Sequence, residues 1–254
     1  MQRLSEEFLA TCPEHQGFRL RGLDMTRIEV LVDAAFAFAI TLLVISFDTI
    51  PANFDEMVTA LKNTPAFVVA VAQLVWIWHA HNTWSRRFGL EDAMTVALSG
   101  ALLIVVLVYI YPLRIMAQGM FSWFSGGWLP SSFEMQSLAE LRFMFTFLGI
   151  GFTLLCGLFV AFYAHAGRCA EALGLSASEE HHRVTVQWVW TGASLIGALA
   201  VILAVLLPDR WVPFSGFAYA LLGVVLPVLE VRRARRLETL VADDQFTEDS
   251  RDAN

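Results

Sequence analysis

The chain contains six long apolar runs, and this feature constrains its fold more than any other. The runs cover residues 25–47, 66–84, 93–116, 142–163, 185–207 and 212–231. Each is close to the roughly 20 residues that an α-helix needs to cross the hydrocarbon core of a bilayer. None alternates polar and apolar residues with the period of two that is typical of membrane β-barrels. The sequence therefore predicts an all-α integral membrane protein with six transmembrane helices.

The amino-acid composition supports a membrane protein. Of the 254 residues, 57% are hydrophobic and 16% are charged, whereas soluble domains carry about 25% charged residues. The mean hydropathy is +0.58. No basic stretch with interleaved aromatic residues is present. We therefore expect contact with membrane lipid and no nucleic-acid partner.

Arginine and lysine residues are distributed unequally between the two predicted sides of the membrane. The side with more of them carries both termini, and such a side is normally cytoplasmic. Its arginines are residues 3, 19, 21, 86, 87, 168, 232, 233, 235 and 236. We therefore predict a multi-pass protein of the cell membrane with both termini in the cytoplasm. Its parts are a cytoplasmic N-terminal segment (1–24), a six-helix transmembrane domain (25–231) and a basic, then acidic, cytoplasmic tail (232–254).

Two segments on the predicted outer side are more than plain loops. Residues 48–65, DTIPANFDEMVTALKNTP, are expected to include a short surface helix. Residues 121–133, FSWFSGGWLPSSF, are rich in aromatic residues and glycine. Such a composition is typical of an aromatic anchor at the membrane interface, and the alternative is a re-entrant pore element.

The first apolar run carries a regular seam. Its members recur at intervals of four and three residues, which is the heptad spacing of helices packed around a shared axis. The seam consists of Arg27, Leu31, Ala34, Phe38, Thr41 and Ile45. Leu42 lies beside it. One such helix from each subunit of a symmetric oligomer would line a central path.

Charged residues at the start of the same run point away from the seam. Glu29 and Asp33 are four residues apart and share a face of the helix. A charge at membrane depth is costly, so we expect Asp33 to be buried and hydrogen-bonded, whereas Glu29 either finds a partner or lies among the headgroups. The second run ends with WIWHAHNTW at the same predicted depth. We predict a contact between Asp33 and His81; the alternative is an aromatic belt with incidental histidines.

These residues resemble the transmembrane protein 175 family of potassium channels, which has lysosomal and bacterial members. The family's first helix carries Arg, then Phe-Ser-Asp, Phe-Ala-Ile and Thr-Leu-Leu, and its second helix carries Trp-x-x-His. The corresponding residues here are Arg27, Leu31-Val32-Asp33, Phe36-Ala37-Phe38, Thr41-Leu42-Leu43, Trp78 and His81. Pro112 corresponds to a proline that ends the family's third helix. The resemblance is specific in the first half of the chain and extends to the second half only through topology.

The resemblance implies a homotetramer of six-helix chains whose first helices line a potassium pore. The function it implies is that of a passive, potassium-selective cation channel with a hydrophobic constriction on the first helix. Potassium is the permeant ion, and no cofactor or metal site is expected. In the family, selectivity is attributed to a narrow apolar constriction and a nearby layer of threonines rather than to a carbonyl filter.

The same resemblance assigns roles to individual residues. Thr41 matches the threonine layer, and Phe38 occupies the position of the constriction isoleucine. Leu42 and Ile45 lie one and two turns further outward along the predicted path. The remaining matches belong to the polar network that joins the pore helix to its neighbours, namely Arg27, Asp33, His81 and Trp78.

Two departures from the family pattern bear on function. Leu31 and Val32 replace Phe-Ser, which removes a hydroxyl from the network. Phe38 replaces isoleucine at the constriction. Four phenyl rings at one level would either close the path by excluding water or attract a passing cation to their faces. A family member that does not conduct is therefore an alternative.

Two further classes of protein fit the sequence less well. A proton-coupled transporter would use Asp33 and His81 as a relay, but the paired broken helices of such carriers are not evident. An enzyme is not expected, because no nucleotide-binding glycine loop or hydrolase motif is present. His79 and His81 lie on different helix faces, and SEEHHRV at 178–184 is typical of a solvated helix start rather than a metal site.

Overall fold

Helices make up most of the chain in the computed structural model. The structure describes residues 3–15, 17–45, 51–131, 133, 136–225, 227–228 and 231, and at Ile45 the backbone only. The predicted tail at 232–254 lies outside the described residues. The elements are α1 (Glu6–Thr11), β1 (Glu14–His15), β2 (Phe18–Arg19), α2 (Arg27–Ile45), α3 (Phe54–Lys62), α4 (Thr64–Phe88), α5 (Ala93–Phe124), α6 (Leu138–Arg168), α7 (Ala170–Leu173), α8 (Ala177–Leu206) and a 3₁₀ helix (Asp209–Leu221).

Five of the six apolar runs form α-helices. Helices α5, α6 and α8 are each long and apolar enough to cross a membrane, and α3 with α4 makes a fourth span if the pair, bent by 40°, is counted as one. Helix α2 is shorter and carries three charged residues in its first two turns. The mostly helical, multi-pass membrane fold is therefore confirmed, although not all six predicted spans are.

The sixth run departs from the expected α-helix in its first half, whereas residues 222–225 are α-helical. Residues Asp209–Leu221 form a 3₁₀ helix, which follows Pro208 and contains Pro213. Proline has no backbone N–H and disrupts the hydrogen-bond ladder of an α-helix interior. The apolar composition of this run suggested a spanning α-helix. Pro213 interrupts it, because proline lacks the backbone N–H that the α-helix needs at this position.

The predicted outer segments are partly helical. The short helix expected within 48–65 is present as α3, whose N-cap is Asn53. Helix α5 does not end at 116 but continues to Phe124, and Pro112 lies inside it. The proline that ends the third helix in the resembling family therefore does not end it here. Trp128 follows α5, and its exposed ring lies under the Lys62 ammonium of α3, with 5.1 Å between Nζ and the ring centroid.

The apolar core lies where α2, α4, α5, α6 and α8 meet. Phe159 of α6 stacks on Trp190 of α8 at 4.2 Å between ring centroids. Glycines allow the close approach of these two helices, because a Cβ atom at Gly197 would lie 2.6 Å from the Thr153 hydroxyl oxygen. Small residues at helix contacts are a common solution in membrane proteins.

Candidate functional site

Helix α2 has one face packed in the core and one face open. The buried face recurs at intervals of three and four residues and consists of Glu29, Val32, Phe36, Ala39 and Leu43. The open face contains the predicted seam, of which the exposed members are Arg27, Leu31, Ala34, Phe38 and Thr41. The side chain of Ile45 lies outside the described residues. The seam predicted from spacing is therefore the surface that a single chain leaves uncovered.

The candidate constriction residues differ in their surroundings. Phe38 is 57% exposed. Thr41 is also exposed, and its hydroxyl donates a hydrogen bond to the Ala37 carbonyl at 3.0 Å. Because the hydroxyl proton is used within the helix, the oxygen lone pairs remain available to a cation. Leu42 is half-buried and turned away from the middle of the open face.

Asp33 is held by α4. The Trp78 indole N–H donates a hydrogen bond of 2.7 Å to Asp33 Oδ1. Hydrogen bonds to charged groups contribute about 1.5–3 kcal/mol each. Both residues line a surface groove of about 330 Å³ between α2 and α4. The contact joins α2 to α4 within a single chain.

His81 has a different partner from the one predicted. The hydrogen bond expected between Asp33 and His81 is absent from the described part of the chain. His81 is 3% exposed, and its Nε2 shares a hydrogen bond of 3.1 Å with the Ser99 hydroxyl of α5. Trp78 and His81 are one turn apart on α4, so the long indole reaches α2 while the imidazole faces α5. The two predicted network residues therefore join α4 to two different helices.

Glu29 and Arg27 lie in opposite environments at the start of α2. Glu29 is buried and forms a capping box with Thr26, in which each side chain accepts from the other's backbone N–H at 2.8 and 3.2 Å. The Thr-x-x-Glu pattern could have indicated this pair. Arg27 is exposed and has neither a hydrogen bond nor an ion pair to the other described residues of the chain. Its predicted role in a polar network therefore has no partner among the described residues.

A second polar group, here termed the N-terminal polar cluster (Arg19, Arg21, Leu173, Ser176 and Glu179), joins the N-terminal segment to α7 and α8. Arg21 NH2 pairs with Glu179 Oε2 at 2.8 Å, and both side chains are at most 2% exposed. Arg21 Nε donates to the Leu173 carbonyl at 2.9 Å, and the Arg19 and Ser176 amides donate to the Glu179 carboxylate.

The expectation of a solvated helix start at 178–184 is therefore wrong for its two inward-facing residues, Glu179 and Arg183, which are buried. Burial alone would raise the pKa of Glu179, but the hydrogen bonds from Arg21, Ser176 and Arg19 outweigh it and hold the pKa below its usual value. The Ser176-x-x-Glu179 capping box was the local signal that the Glu179 carboxylate is hydrogen-bonded at the helix start. Its partner Arg21, distant in sequence, had no local signal.

One further group of potential ligands lies at the same end of the helices as this cluster. Asp92 caps α5, and His165 and Cys169 lie at the end of α6. The ligand atoms of these three residues all lie within 4.8 Å of one another. Burial opposes the ionisation of Asp92, but hydrogen bonds from the Thr95 amide and hydroxyl and from His165 lower its pKa. Sequence reasoning missed this group because its members are widely separated along the chain.

Comparison with known proteins relates the chain to potassium channels. The family model of the endosomal/lysosomal potassium channel TMEM175 matches residues 27–110. A potassium channel of Marivirga tractuosa is 31% identical over 233 residues, which span 87% of this chain and 93% of that protein. The crystal structure of a variant of the potassium channel MtTMEM175, in complex with a nanobody–MBP fusion protein, matches with a TM-score of 0.75 and 28% identity over 87% of this chain and 99% of the other.

Proposed function

The chain belongs to the TMEM175 family of potassium channels, and we propose that it forms a passive, potassium-selective pore along the open face of α2. The observation that carries this proposal is the exposure of the heptad seam on a helix whose opposite face is buried. The family is one of channels rather than enzymes. The exposed seam joins apolar side chains to one hydroxyl, which suits a narrow path for a dehydrating cation.

The pore requires several copies of the chain. One helix face cannot enclose a path, whereas a homotetramer would bring four seams around one axis. Ala34 and Ala37 on the open face are small and exposed, so neighbouring α2 helices can approach closely. The groove between α2 and α4 provides a concave surface beside this face for packing against the next subunit.

Phe38 and Thr41 are the proposed narrow point of the path. In a tetramer, four exposed phenyl rings would form an apolar ring that excludes water, and four threonine oxygens would face the axis about one turn away. Leu42 and Ile45 would continue the apolar wall outward. Phe38 also supports the second candidate, a member that does not conduct, because a phenyl ring is wider than an aliphatic side chain.

The polar residues around α2 are proposed to hold the pore helix in place. Trp78 fixes Asp33 on α4, and His81 fixes α4 on α5. Arg27, which lacks a partner in the described part of one chain, is proposed to contact a neighbouring subunit or the aqueous entrance. A proton relay between Asp33 and His81 is not favoured, because the two side chains bond to different groups.

The proposed orientation places both termini in the cytoplasm and the protein in the cell membrane. Support comes from the end of the molecule where the N-terminal segment packs. Gly22 donates its backbone N–H to the Arg86 carbonyl, and Arg21 reaches Glu179 at the start of α8. Arginines that are distant in sequence therefore gather at one end, as expected for a cytoplasmic side.

The experiment that tests the function is cation flux from proteoliposomes that contain the purified protein. Potassium flux is compared with sodium flux and with empty liposomes for wild type, Phe38→Ile and the control Phe143→Ile. Phe143 is 67% exposed but lies on α6. We expect potassium-selective flux from wild type and the control. Flux from Phe38→Ile alone would instead support a pore closed at Phe38, and no flux from any assembled variant would contradict the channel.

A further inference from the structure

We propose that Asp92, His165 and Cys169 form a binding site for a divalent transition-metal cation of the zinc type. The site lies at the end of the molecule that carries the N-terminal polar cluster, away from the open face of α2. It joins the loop before α5 to the end of α6. The proposal is independent of conduction.

The three ligand atoms are already gathered. His165 Nε2 lies 3.0 Å from Asp92 Oδ1 and 2.9 Å from Oδ2. All three ligand atoms lie within 4.8 Å of one another. Zinc bonds of about 2.0–2.3 Å in tetrahedral geometry place neighbouring ligand atoms about 3.3–3.8 Å apart. The present separations therefore differ from coordination distances by about 1 Å at most.

Local structure holds each ligand in position. Asp92 is the N-cap of α5 and accepts from the Thr95 amide at 3.0 Å and the Thr95 hydroxyl at 2.8 Å. Cys169 is the C-cap of α6, one turn after His165. The carboxyl end of a helix carries partial negative charge, which favours a cation there.

The site is accessible from water on one side. The His165 side chain is 9% exposed, whereas the Asp92 side chain is 43% exposed. Cys169 is half-buried, and the other two cysteines, Cys12 and Cys156, are buried. A cation can therefore enter past Asp92 and reach a nitrogen and a sulfur ligand beneath it.

The donor set selects the class of cation. Imidazole nitrogen and thiolate sulfur suit zinc and its neighbours, whereas magnesium and calcium prefer all-oxygen sites. Three protein ligands leave a fourth position for water or a further group, as in open zinc sites. A bound cation would tie α5 to α6 and stiffen this end of the helix bundle.

The test uses full-length, metal-free protein without an affinity tag, kept reduced in detergent. Zinc is added, unbound metal is removed, and the zinc retained per chain is measured by atomic emission. The site variants are His165→Gln and Cys169→Ser. The matched controls are His79→Gln, an exposed histidine on α4, and Cys12→Ser. A second readout is the alkylation rate of Cys169 with and without zinc, followed by peptide mass spectrometry.

We expect wild type and both controls to retain one zinc per chain. Each site variant should retain little zinc, since the loss of a partner behind a metal ligand alone weakens metal binding about 10–100-fold. Zinc should also slow the alkylation of Cys169 in wild type. The proposal is overturned if folded wild type retains no zinc, if the site variants retain as much as the controls, or if zinc leaves the alkylation of Cys169 unchanged.

Discussion

The N-terminal polar cluster and the open face of α2 differ in whether their residues find partners within one chain. In the cluster, Arg21 and Glu179 are buried and their polar atoms are paired within one chain. On α2, Arg27, Phe38 and Thr41 are exposed. Removing one member of a charge pair buried inside one chain destabilises that chain, whereas an exposed heptad seam in a membrane protein gains partners only in an assembly. The two regions should therefore respond to mutation through different measurements.

The largest effect on stability is expected at the cluster. Glu179→Ala should lower the free energy of unfolding by about 3–5 kcal/mol, because it leaves Arg21 buried without its counter-charge. Thermal unfolding in detergent measures the change. Glu171→Ala is the matched control, since Glu171 is an exposed acid on α7. Equal unfolding temperatures for the two variants would contradict the proposed contribution of the ion pair.

The same pair should make stability sensitive to acid. The pKa of Glu179 is lower in the folded chain than in the unfolded chain, so the unfolded state binds more protons as pH falls. The stabilisation that this lowered pKa provides is complete above the usual glutamate pKa of about 4.3. It is lost as pH falls through the folded-state pKa. Wild type should thus lose stability more steeply than Glu179→Gln below about pH 5. Parallel pH profiles of the unfolding temperature would exclude this role.

A smaller effect is expected where α2 is joined to α4. Trp78→Phe removes the donor to Asp33 and should lower the free energy of unfolding by about 1.5–3 kcal/mol. Trp76→Phe is the control, because Trp76 is exposed two residues earlier on α4. If α2 is rotated by the loss of the bond, Trp78→Phe should also change cation flux. A variant with unchanged stability and flux would show that this contact does not orient the helix.

The smallest effect on the isolated chain is expected at Arg27. Arg27→Ala should change the free energy of unfolding by less than about 0.5 kcal/mol, which is typical of surface substitutions. The association of subunits into the oligomer should nevertheless weaken, as measured by size-exclusion chromatography with light scattering. If the Arg27→Ala oligomer keeps its mass and its stability on dilution, Arg27 does not contribute to the contact between subunits.

Local patterns in the sequence predicted much of α2 but not its partners. The heptad spacing separated the exposed seam from the buried face, because both depend only on helix geometry. Asp33 has the predicted hydrogen bond but is half-buried rather than buried, and Trp78 rather than His81 supplies the bond. Choosing between two side chains one turn apart requires the crossing of α2 and α4, which a single sequence does not contain.

Long-range pairs were the least predictable features. Arg21 and Glu179 are 158 residues apart, and Asp92 and His165 are 73 apart. Positive charges near a membrane are usually assigned to headgroups, so a buried arginine was not expected. The sixth run shows a different limit. Its apolar composition suggested an α-helix, but Pro208 and Pro213 favour another backbone geometry.

The central claim is that the open face of α2, and not its buried face, lines the ion path. It is tested most directly by substituted-cysteine accessibility in a variant whose native cysteines are replaced by serine. Thr41→Cys and Ala34→Cys represent the open face, and Ala39→Cys, fully buried, is the control. We predict that a small cationic thiol reagent blocks potassium flux at residues 34 and 41 and leaves it unchanged at 39. Block at 39 alone, or flux that stays unchanged at 34 and 41 after complete labelling of those two positions, would contradict the claim.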